Sequence, residues 1–581
     1  MVKPLLFSLF CVLGSLVDCY SARIVEIPSM HEDATRQIQE ALNMFLDSPD
    51  EENILKLSPG EYHLSKGFSS PFLYHVSNTT SFEENPDPVK HIGLWLKGLQ
   101  NITIDGNGAT LITHGEMTPF VIDSCSNICI KNLTLEAADP SVVEIKILER
   151  NDHEVIFDIT PPSDFEIEDG VFYFKGEGWI FGDGGKKTNL PQYAQVFYPE
   201  RDVTLRKPYP LQRYINVEKL GDRRVKMEFE ESPQIFPDEI YQLRHGIRNE
   251  VCGFINYSKD VGLSDINIRF LGNFGIVSQF SDTITLNHIE FAPQKESGRS
   301  NAGFADFLQF SGCKGKITIK NSVFTGSQDD PINIHGTHLK VVGKTEAGGL
   351  IVQYSHPQTY GFWPATPGDH IEFIDSRSLN TKMAAKVEEI KKIDDYRFEI
   401  CIDKDSMSNL LKFDLNTLAI ENVTYIPEVE ISGCYFSRTP TRGILLTTRG
   451  NSLIENNTFY RIPMSSILVS DDANSWYESG AVKNLTIRNN IFYECASPVI
   501  CVKPEISKFE KPVHENITIE GNRFIGAMSN TIYLKASADI YVNDNIFEIS
   551  SSINMEISDL IIKEDVTNLQ IKGNKISSES K

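Results

Sequence analysis

The segment LTIRNNIF, Leu485 to Phe492, decides the fold because closely similar segments return along much of the chain. Each copy alternates apolar residues, turns near an Asn or Gly, and ends on an aromatic or aliphatic residue. The other copies are ICIKNLTL (128–135), ITLNHIEF (284–291), ITIKNSVF (317–324), VEISGCYF (429–436), SLIENNTF (452–459), ITIEGNRF (517–524), IYVNDNIF (540–547) and LQIKGNKI (569–576). Copies that start at 429 and 452, or at 517 and 540, lie 23 residues apart. Strands without helices at a period of this length predict a parallel β-helix.

The chain before the first copy predicts a cap for this solenoid. After a candidate N-cap at Asp33, one helix face carries Ile38, Ala41, Leu42, Phe45 and Leu46. LKLSPGEYHL (55–64) then alternates like a strand hairpin. A solenoid needs a cap because its first coil would otherwise expose core and strand edge. We therefore expect an all-β fold, a right-handed parallel β-helix with an N-terminal capping helix.

Two stretches without the repeated segment predict small antiparallel β-rich insertions. The first contains VEIKILE, EVIFDI, GVFYFKG and VKMEFEE, and the second contains LIVQY, GDHIEFID and YRFEICID. The predicted divisions are a signal peptide (1–22), the β-helix start with its cap (23–140), insertion I (141–250), the β-helix centre (251–340), insertion II (341–425) and the C-terminal coils (426–581).

The first residues predict export. Lys3 gives a positive start, Leu5 to Val17 an apolar stretch, and Ser21 and Ala22 a cleavage site. No apolar run is long enough for a transmembrane helix. We expect a periplasmic or secreted protein, and a lipid anchor at Cys19 is less favoured because Asp18 stands where a small residue is needed.

Charge and cysteine content narrow the choice of partners. A net charge of −24 disfavours nucleic acid and anionic membrane surfaces, and more weakly a polyanionic substrate. Cys125 with Cys129, or Cys495 with Cys501, could pair in an oxidising compartment, although most of the cysteines read as small buried hydrophobes. No spacing resembles a zinc site. We therefore expect a neutral ligand, no metal and no cofactor.

GSQDDPINIHG, Gly326 to Gly336, places two adjacent aspartates before an apolar strand. The apolar patterns of GIVSQF (275–280), FLQFSG (307–312), PINIHG (331–336), GILLTT (443–448) and SILVSD (466–471) align with it. In this register the residues just before the strands form one column, Phe274, Asp306, Asp330, Arg442 and Ser465. Asp306 and Asp330 should therefore stack on neighbouring strands, about 4.8 Å apart.

A cluster of three carboxylates on two coils favours a catalytic role over a structural role in turn capping. A single Asp before Pro331 would suit a turn, but clustered like charges are destabilising. Glycoside hydrolysis uses such a cluster, since one acid protonates the leaving oxygen while other carboxylates deprotonate water. Adjacent residues of an extended segment point in different directions, so Asp329 faces the leaving group while Asp306 and Asp330 hold the water. A gap wide enough for water predicts inversion at the anomeric carbon.

The aspartates at 306, 329 and 330, carried by a β-helix with two insertions, resemble those of glycoside hydrolase family 110, which has a pectin-lyase-like β-helix. The resemblance covers essentially the whole mature chain. It implies an inverting α-1,3-galactosidase that removes terminal galactose from blood-group-B-type and related glycans. It further implies that Asp329 is the general acid, and that Asp306 and Asp330 activate water. Polygalacturonases also share the fold and an aspartate pair, but their Gly-His-Gly and Arg-Ile-Lys motifs are missing here.

Candidate sugar-binding residues come from position and chemistry alone. Asn333 and His335 lie on the strand that Asp330 begins, and either can hydrogen-bond a hydroxyl. Arg442 can bind sugar hydroxyls or compensate the stacked carboxylates. The remaining candidates are Arg449 and two tryptophans in loops that could stack on a sugar ring, Trp363 and Trp476.

Three alternatives stay open. One is a polygalacturonase-like glycosidase. Another is a pectate-type lyase, in which Asp306 and Asp330 bind calcium and Arg442 is the base. The third is a non-catalytic glycan-binding solenoid such as an adhesin. The sequence gives no indication of the oligomeric state.

Overall fold

The computed structural model describes residues 22–29, 32–182, 193–550 and 554–578. The predicted signal peptide and Cys19 lie outside these residues, apart from Ala22, and export remains a prediction. Over the described residues, no helix combines the length and apolar character needed to cross a membrane.

The N-terminal coils contain β1 (Arg23–Ile27), α1 (Thr35–Asn43), β2 (Asn53–Leu57), β3 (Glu61–Ser65), β4 (Ser70–Leu73), β5 (Val89–Lys97), β6 (Gln100–His114), β7 (Thr118–Asp123) and β8 (Ser126–Ala137). The predicted helix face is buried except for Leu46, which is exposed because the α-helix ends at Asn43. Ala34 takes the N-cap position, while the Asp33 carboxylate accepts a hydrogen bond from the Thr35 amide at 2.9 Å.

The predicted hairpin over 55–64 is wrong. Strands β2 and β3 both pair in parallel with β6, so they are successive sides of the coil. The Pro59-Gly60 turn is compatible with a coil corner as well as with a hairpin, and the alternating pattern is the same in both.

Insertion I contains β9 (Val143–Arg150), β10 (Glu154–Ile159), β11 (Asp164–Glu168), β12 (Val171–Gly176), β13 (Trp179–Gly182), β14 (Tyr193–Tyr198), β15 (Val203–Pro208), β16 (Tyr214–Lys219), β17 (Arg224–Phe229) and β18 (Ile240–Leu243). These strands form a seven-stranded antiparallel sheet, in the order β15-β14-β18-β9-β10-β17-β16, and a three-stranded sheet. The alternating inward residues build an apolar core of the insertion's own, separate from that of the solenoid.

The central coils contain β19 (Val251–Asn256), β20 (Lys259–Ile268), β21 (Phe274–Gln279), β22 (Asp282–Phe291), β23 (Leu308–Ser311), β24 (Lys314–Lys320), β25 (Val323–Thr325) and β26 (Ile332–Lys344). Strands β21, β23 and β26 pair in parallel, with Ile276 opposite Leu308 and Leu308 opposite Ile332. This confirms the register that the sequence predicts for Asp306 and Asp330.

Insertion II begins where β26 leaves the solenoid. It contains β27 (Leu350–Gln353), β28 (His370–Asp375), β29 (Thr381–Lys386), β30 (Glu389–Lys392), β31 (Arg397–Cys401), α2 (Lys404–Leu410) and β32 (Leu418–Asn422). The far part of β26 pairs antiparallel with β27 and β32, so one continuous strand joins the coil to the insertion. The position of insertion II is thereby fixed relative to the aspartates.

The C-terminal coils contain β33 (Glu428–Ser432), β34 (Tyr435–Ser437), β35 (Ile444–Leu446), β36 (Ser452–Glu455), β37 (Thr458–Tyr460), β38 (Ile467–Val469), β39 (Glu478–Ser479), β40 (Leu485–Arg488), β41 (Ile491–Tyr493), β42 (Ile500–Val502), β43 (His514–Glu520), β44 (Arg523–Ile525), β45 (Ile532–Asn543), β46 (Ile546–Ile549), α3 (Ile557–Leu560), β47 (Ile561–Lys572) and β48 (Lys575–Ser578). Ile332 lies opposite Ile444, and Ile444 opposite Ile467, which completes the predicted column.

Two side-chain ladders explain the repeated segment. Its final Phe stacks on the equivalent ring of the next coil, as Phe459 does on Phe492 with ring centroids 5.0 Å apart. A buried Asn donates to the next buried Asn, as Asn490 does to Asn522 at 3.0 Å. The Asn before it adopts the left-handed conformation that the corner requires, with φ 55° at Asn489.

The cysteines of the described chain are all unpaired. Cys125, Cys252, Cys313, Cys434, Cys495 and Cys501 are buried. Neither of the disulfides considered from the sequence forms, and most of these residues pack as small apolar side chains.

Candidate active site

Asp306 and Asp330 lie on neighbouring coils at the start of β23 and β26. The Phe307 amide donates to the Asp330 carbonyl at 3.2 Å, and the Leu308 amide donates to the Pro331 carbonyl at 3.0 Å. Parallel strands joined in this way are about 4.8 Å apart. The two carboxylates therefore share one side of the solenoid, and the preceding residue, Asp329, bonds through its amide to the Ala305 carbonyl at 3.3 Å.

Arg442 fixes the carboxylate of Asp330. Its Nε donates to Oδ1 and its Nη2 lies against Oδ2, both at 2.9 Å, while its main-chain amide reaches Oδ1 at 3.2 Å. Such a bidentate pair is strong and directional. The negative charge of Asp330 raises the pKa of the Arg442 guanidinium further above its usual range. Arg442 is therefore a permanent cation, which disfavours the alternative in which it acts as the base of a lyase.

Asp306 is buried and, unlike Asp329 and Asp330, forms no ion pair among the described residues. Burial raises its pKa well above the ordinary value, and Asp329 and Asp330 raise it further, while Arg248 opposes the shift. A carboxyl with a raised pKa binds a proton more strongly than an ordinary aspartate. The ionised form of Asp306 is thus a stronger base than an ordinary aspartate.

Asp329 faces insertion I and is partly open to solvent. The Arg206 guanidinium of β15 donates to Oδ1 at 3.3 Å, and about a quarter of the Asp329 side chain, 26%, is exposed. The Thr439 hydroxyl donates to the main-chain carbonyl of Asp329 at 3.2 Å. Asp329 therefore projects away from the Asp330–Arg442 pair, as expected for adjacent residues in an extended segment.

Two further arginines close the site from the end of insertion I. Arg244 donates to the Phe304 carbonyl and lies over the Phe304 ring at 4.5 Å. Burial, followed by repulsion from Arg248, lowers the pKa of Arg244 to about 9. Arg248 donates to the Asn78 carbonyl at 2.9 Å. These cations offset much of the charge of the clustered carboxylates.

Asn333 and His335 point outward from β26 beside the aspartates. The Asn333 amide donates to Glu478 at 3.1 Å. His335 Nδ1 donates to the Gly336 carbonyl at 2.7 Å, so its Nε2 accepts from the Gln309 amide at 2.9 Å. The side-chain oxygens of Asn333 and Gln309 are buried without partners among the described residues. These unpaired oxygens make Asn333 and Gln309 candidates for hydrogen bonds to a ligand.

Glu478 is a fourth carboxylate at the site. It lies on β39, which pairs antiparallel with β26 through Gly336 and Ser479. Its Oε1 also accepts from the Asn78 amide at 3.4 Å and lies 3.7 Å from His335 Nε2. Glu478 therefore ties a coil loop and the N-terminal part of the chain to the strand that carries Asn333.

A cleft of about 660 Å³ leads away from the carboxylates along the C-terminal coils. Arg442, Leu445, Leu468, Trp476, Glu478 and Ile506 are among the residues that line it. Arg442 and Glu478 belong to both the cleft and the carboxylate cluster, so the two are continuous. Volumes of this size are typical of small-molecule sites.

The opposite end of the site is closed by residues 77–80, which are buried. The Ser77 amide donates to Gln279 of β21 at 3.0 Å, and the Thr359 hydroxyl of insertion II donates to Asn78 at 3.1 Å. This segment covers β21, whose residues are all buried. The aspartates consequently lie at a closed end.

The remaining predicted binding residues lie in different surroundings. Arg449 donates to Glu372 at 2.7 Å and to Glu421, so its guanidinium joins the coil to insertion II and is not available to a sugar. Trp363 packs on Phe398 within insertion II, with centroids 5.5 Å apart, and is not among the residues that line the cleft. Of the two tryptophans, the structure brings only Trp476 to the cleft.

Comparisons with known proteins agree with this architecture. The GLAA-B beta-barrel domain II family matches residues 349–415, and the right handed beta helix region matches residues 392–547. Alpha-1,3-galactosidase A of Bacteroides thetaiotaomicron is 42% identical over 559 residues, which cover 96% of each chain. The chain belongs to the α-1,3-galactosidase family. A second enzyme of that name, from Bacteroides fragilis, is 34% identical over 89% of this chain and 85% of its own. Alpha-1,3-galactosidase B of Parabacteroides distasonis is 29% identical, over 85% and 82% respectively.

The right handed beta helix match confirms the fold predicted from the repeated segment, and membership of the α-1,3-galactosidase family confirms the resemblance. Sequence reasoning brought together Asp306, Asp329, Asp330 and Arg442, but it missed four other residues of this site, Arg206, Arg244, Arg248 and Glu478. The arginines come from insertion I, and no periodic pattern links them to the coils. Glu478 follows Trp476 by two residues in SDDANSWYES, a loop that the sequence had already marked as a candidate.

Proposed function

We propose that this member of the α-1,3-galactosidase family is an exo-glycosidase that hydrolyses terminal, non-reducing α-1,3-linked galactose with inversion of configuration. Its substrates are neutral glycans, blood-group-B-type branched structures and also linear α-1,3-galactosyl chains. The observation that carries the proposal is the convergence of three aspartates from two neighbouring coils, with Asp330 locked by Arg442. The names of the relatives support the choice of sugar and linkage.

Each carboxyl has a separate task in the proposed reaction. Asp329 donates its proton to the glycosidic oxygen as the bond between that oxygen and the anomeric carbon breaks. A water molecule held by Asp306 and Asp330 attacks the anomeric carbon from the other face and gives up a proton. The raised pKa of Asp306 favours it as the group that takes this proton, whereas Asp330 is held by Arg442 and orients the water.

The closed end of the site supports cleavage at a chain terminus. Among the described residues, 77–80 and Arg248 cover one end of the site, and the cleft beyond Arg442 gives a glycan room to continue. A terminal galactose can then lie over Asn333 and Gln309, whose unpaired oxygens accept hydrogen bonds from its hydroxyls. An internal sugar would meet the closed end.

Export is part of the proposal. The charged start and apolar stretch of residues 1–22 support delivery to a periplasm or to the medium. Attachment through Cys19 is the less favoured variant because of Asp18.

The proposal is tested by incubating the protein with branched and linear α-1,3-galactosyl oligosaccharides and following the released sugar by NMR. We expect β-galactose as the first anomer, followed by mutarotation. Initial release of α-galactose would contradict inversion. Hydrolysis of polygalacturonate instead would support the polygalacturonase-like alternative, and binding without turnover would support a glycan-binding solenoid.

A further inference from the structure

The floor of the cleft changes from polar to apolar along the solenoid. Gln309, Asn333, Leu445 and Leu468 occupy one outward-facing row, because each is paired in register with the next. The first two lie beside the aspartates, and the last two lie under the cleft. A floor of leucines cannot hydrogen-bond hydroxyls, so it suits the C–H face of a sugar ring rather than its edge.

An aromatic wall stands over this floor. Trp476 is 48% exposed and stacks on His356 of insertion II, with ring centroids 4.5 Å apart and an interplanar angle of 26°. Burial, helped by the nearby Arg248, lowers the pKa of His356 to about 4. The imidazole is therefore uncharged at neutral pH, and the pair presents a neutral aromatic surface.

The position of Trp476 is fixed by its own loop. The buried carboxylate of Asp472 accepts hydrogen bonds from three successive main-chain amides, those of Asn474 at 2.8 Å, Ser475 at 3.0 Å and Trp476 at 2.5 Å. The Asn474 side chain also donates to the Ser376 carbonyl of insertion II at 2.7 Å. Because these hydrogen bonds already fix the loop, the Trp476 indole loses little conformational entropy when a ligand binds.

We propose that Leu445, Leu468 and Trp476 form the subsite for the sugar residue to which the terminal galactose is attached. We further propose that Trp476 determines how efficiently the enzyme hydrolyses an oligosaccharide. This inference rests on the proposed function. The closed end at residues 77–80 leaves the cleft as the continuation of the carboxylate cluster, so the residue attached to galactose lies over Leu445 and Leu468. Its apolar face packs against the Trp476 indole, as amphipathic ligands do on aromatic side chains.

The test compares two substrates that share the galactose but differ in the leaving group. An α-1,3-galactosyl oligosaccharide fills the proposed subsite, whereas α-galactosyl fluoride releases only fluoride and leaves it empty. Trp476→Ala should lower kcat/KM for the oligosaccharide by about tenfold or more, the effect of losing one good stacking contact. The same variant should process the fluoride like the parent protein, and Trp476→Phe should recover most of the oligosaccharide activity.

Two further variants guard against a purely structural explanation. Leu468→Ser should reproduce the selective loss, because it removes the apolar floor without touching the loop. Phe413→Ala removes an aromatic side chain of similar exposure, 39%, from insertion II outside the cleft, and should leave both substrates unaffected. Equal losses on oligosaccharide and fluoride in Trp476→Ala would overturn the subsite. If the parent protein hydrolysed neither substrate, the proposed function itself would fail, which is a different result.

Discussion

Asp306 shows how a single residue can serve the site at the expense of stability. Its carboxyl is buried, has two acidic neighbours and is only partly offset by Arg248, so its ionised form is disfavoured in the fold. With its pKa raised above the unfolded value, the folded protein binds the proton more tightly than the unfolded chain does. The stabilisation from that proton is complete at low pH and is lost as pH rises through the raised pKa.

Replacing Asp306 with Asn should therefore stabilise the protein at neutral pH while abolishing turnover. We expect a gain of about 0.5–2 kcal/mol at pH 7, in the usual range for stabilising substitutions. The gain should shrink as pH falls toward the ordinary pKa of aspartate, because the parent carboxyl is then protonated in both states. Thermal unfolding of parent and variant across this pH range measures it. Asp329→Asn should gain less, and an equal gain there would argue against burial as the cause.

The proposed role of Asp329 as the general acid can be tested separately. Asp329→Asn should abolish turnover of natural glycans, because it removes the acid proposed to protonate the glycosidic oxygen. An activated aryl α-galactoside should keep part of its rate, since its leaving group needs little protonation. Steady-state kinetics on both substrates provide the comparison. Full activity of Asp329→Asn on natural glycans would show that the acid lies elsewhere.

The asparagine ladder is the element that holds the C-terminal coils in register. Asn490 donates to the Ile454 carbonyl and to Asn522, both at 3.0 Å, and accepts from the Asn457 amide at 3.0 Å. Asn490→Ala removes these bonds and takes away the partner of the Asn457 main-chain amide, which donates to the Asn490 side chain at 2.9 Å. A buried group left without a partner costs about 1–3 kcal/mol. The melting temperature should fall clearly. Asn489→Gly, next in sequence but exposed and at φ 55°, should change it little, because glycine adopts that conformation freely.

The repeat also explains which elements a sequence can predict. The alternation of apolar residues fixes both strand register and strand face, so the column from Phe274 to Ser465 follows from pattern alone. The same alternation cannot tell a coil corner from a hairpin, which is why 55–64 was misassigned. Contacts between an insertion and a coil, such as Arg206 with Asp329, obey no period and remain invisible without coordinates.

At the scale of the whole molecule, charge should select for neutral glycans. The chain carries a net charge of −24, yet the arginines around the aspartates leave the site itself nearly balanced. For a neutral α-1,3-galactosyl oligosaccharide, kcat/KM should stay constant between about 0.05 and 0.5 M salt, because screening acts on charged partners only. A sialylated glycan with the same terminal galactose should react more slowly at low salt and improve as salt rises. Faster reaction at low salt would mean that the local arginines outweigh the overall charge.

The long excursion between Asp330 and Arg442 has a consequence for biosynthesis. The strand that begins at Asp330 runs straight into insertion II, and its partner Arg442 follows 112 residues later. Glu478, the hydrogen-bond partner of Asn333, follows it by 145 residues. Synthesis of the intervening chain takes roughly 7–30 s at ordinary rates of translation. A nascent chain that has reached the middle of insertion II contains all three aspartates of the reaction, but it still lacks Arg442 and Glu478 and is therefore inactive. Activity therefore requires the returning polypeptide to form the next coil against the strand that Asp330 begins.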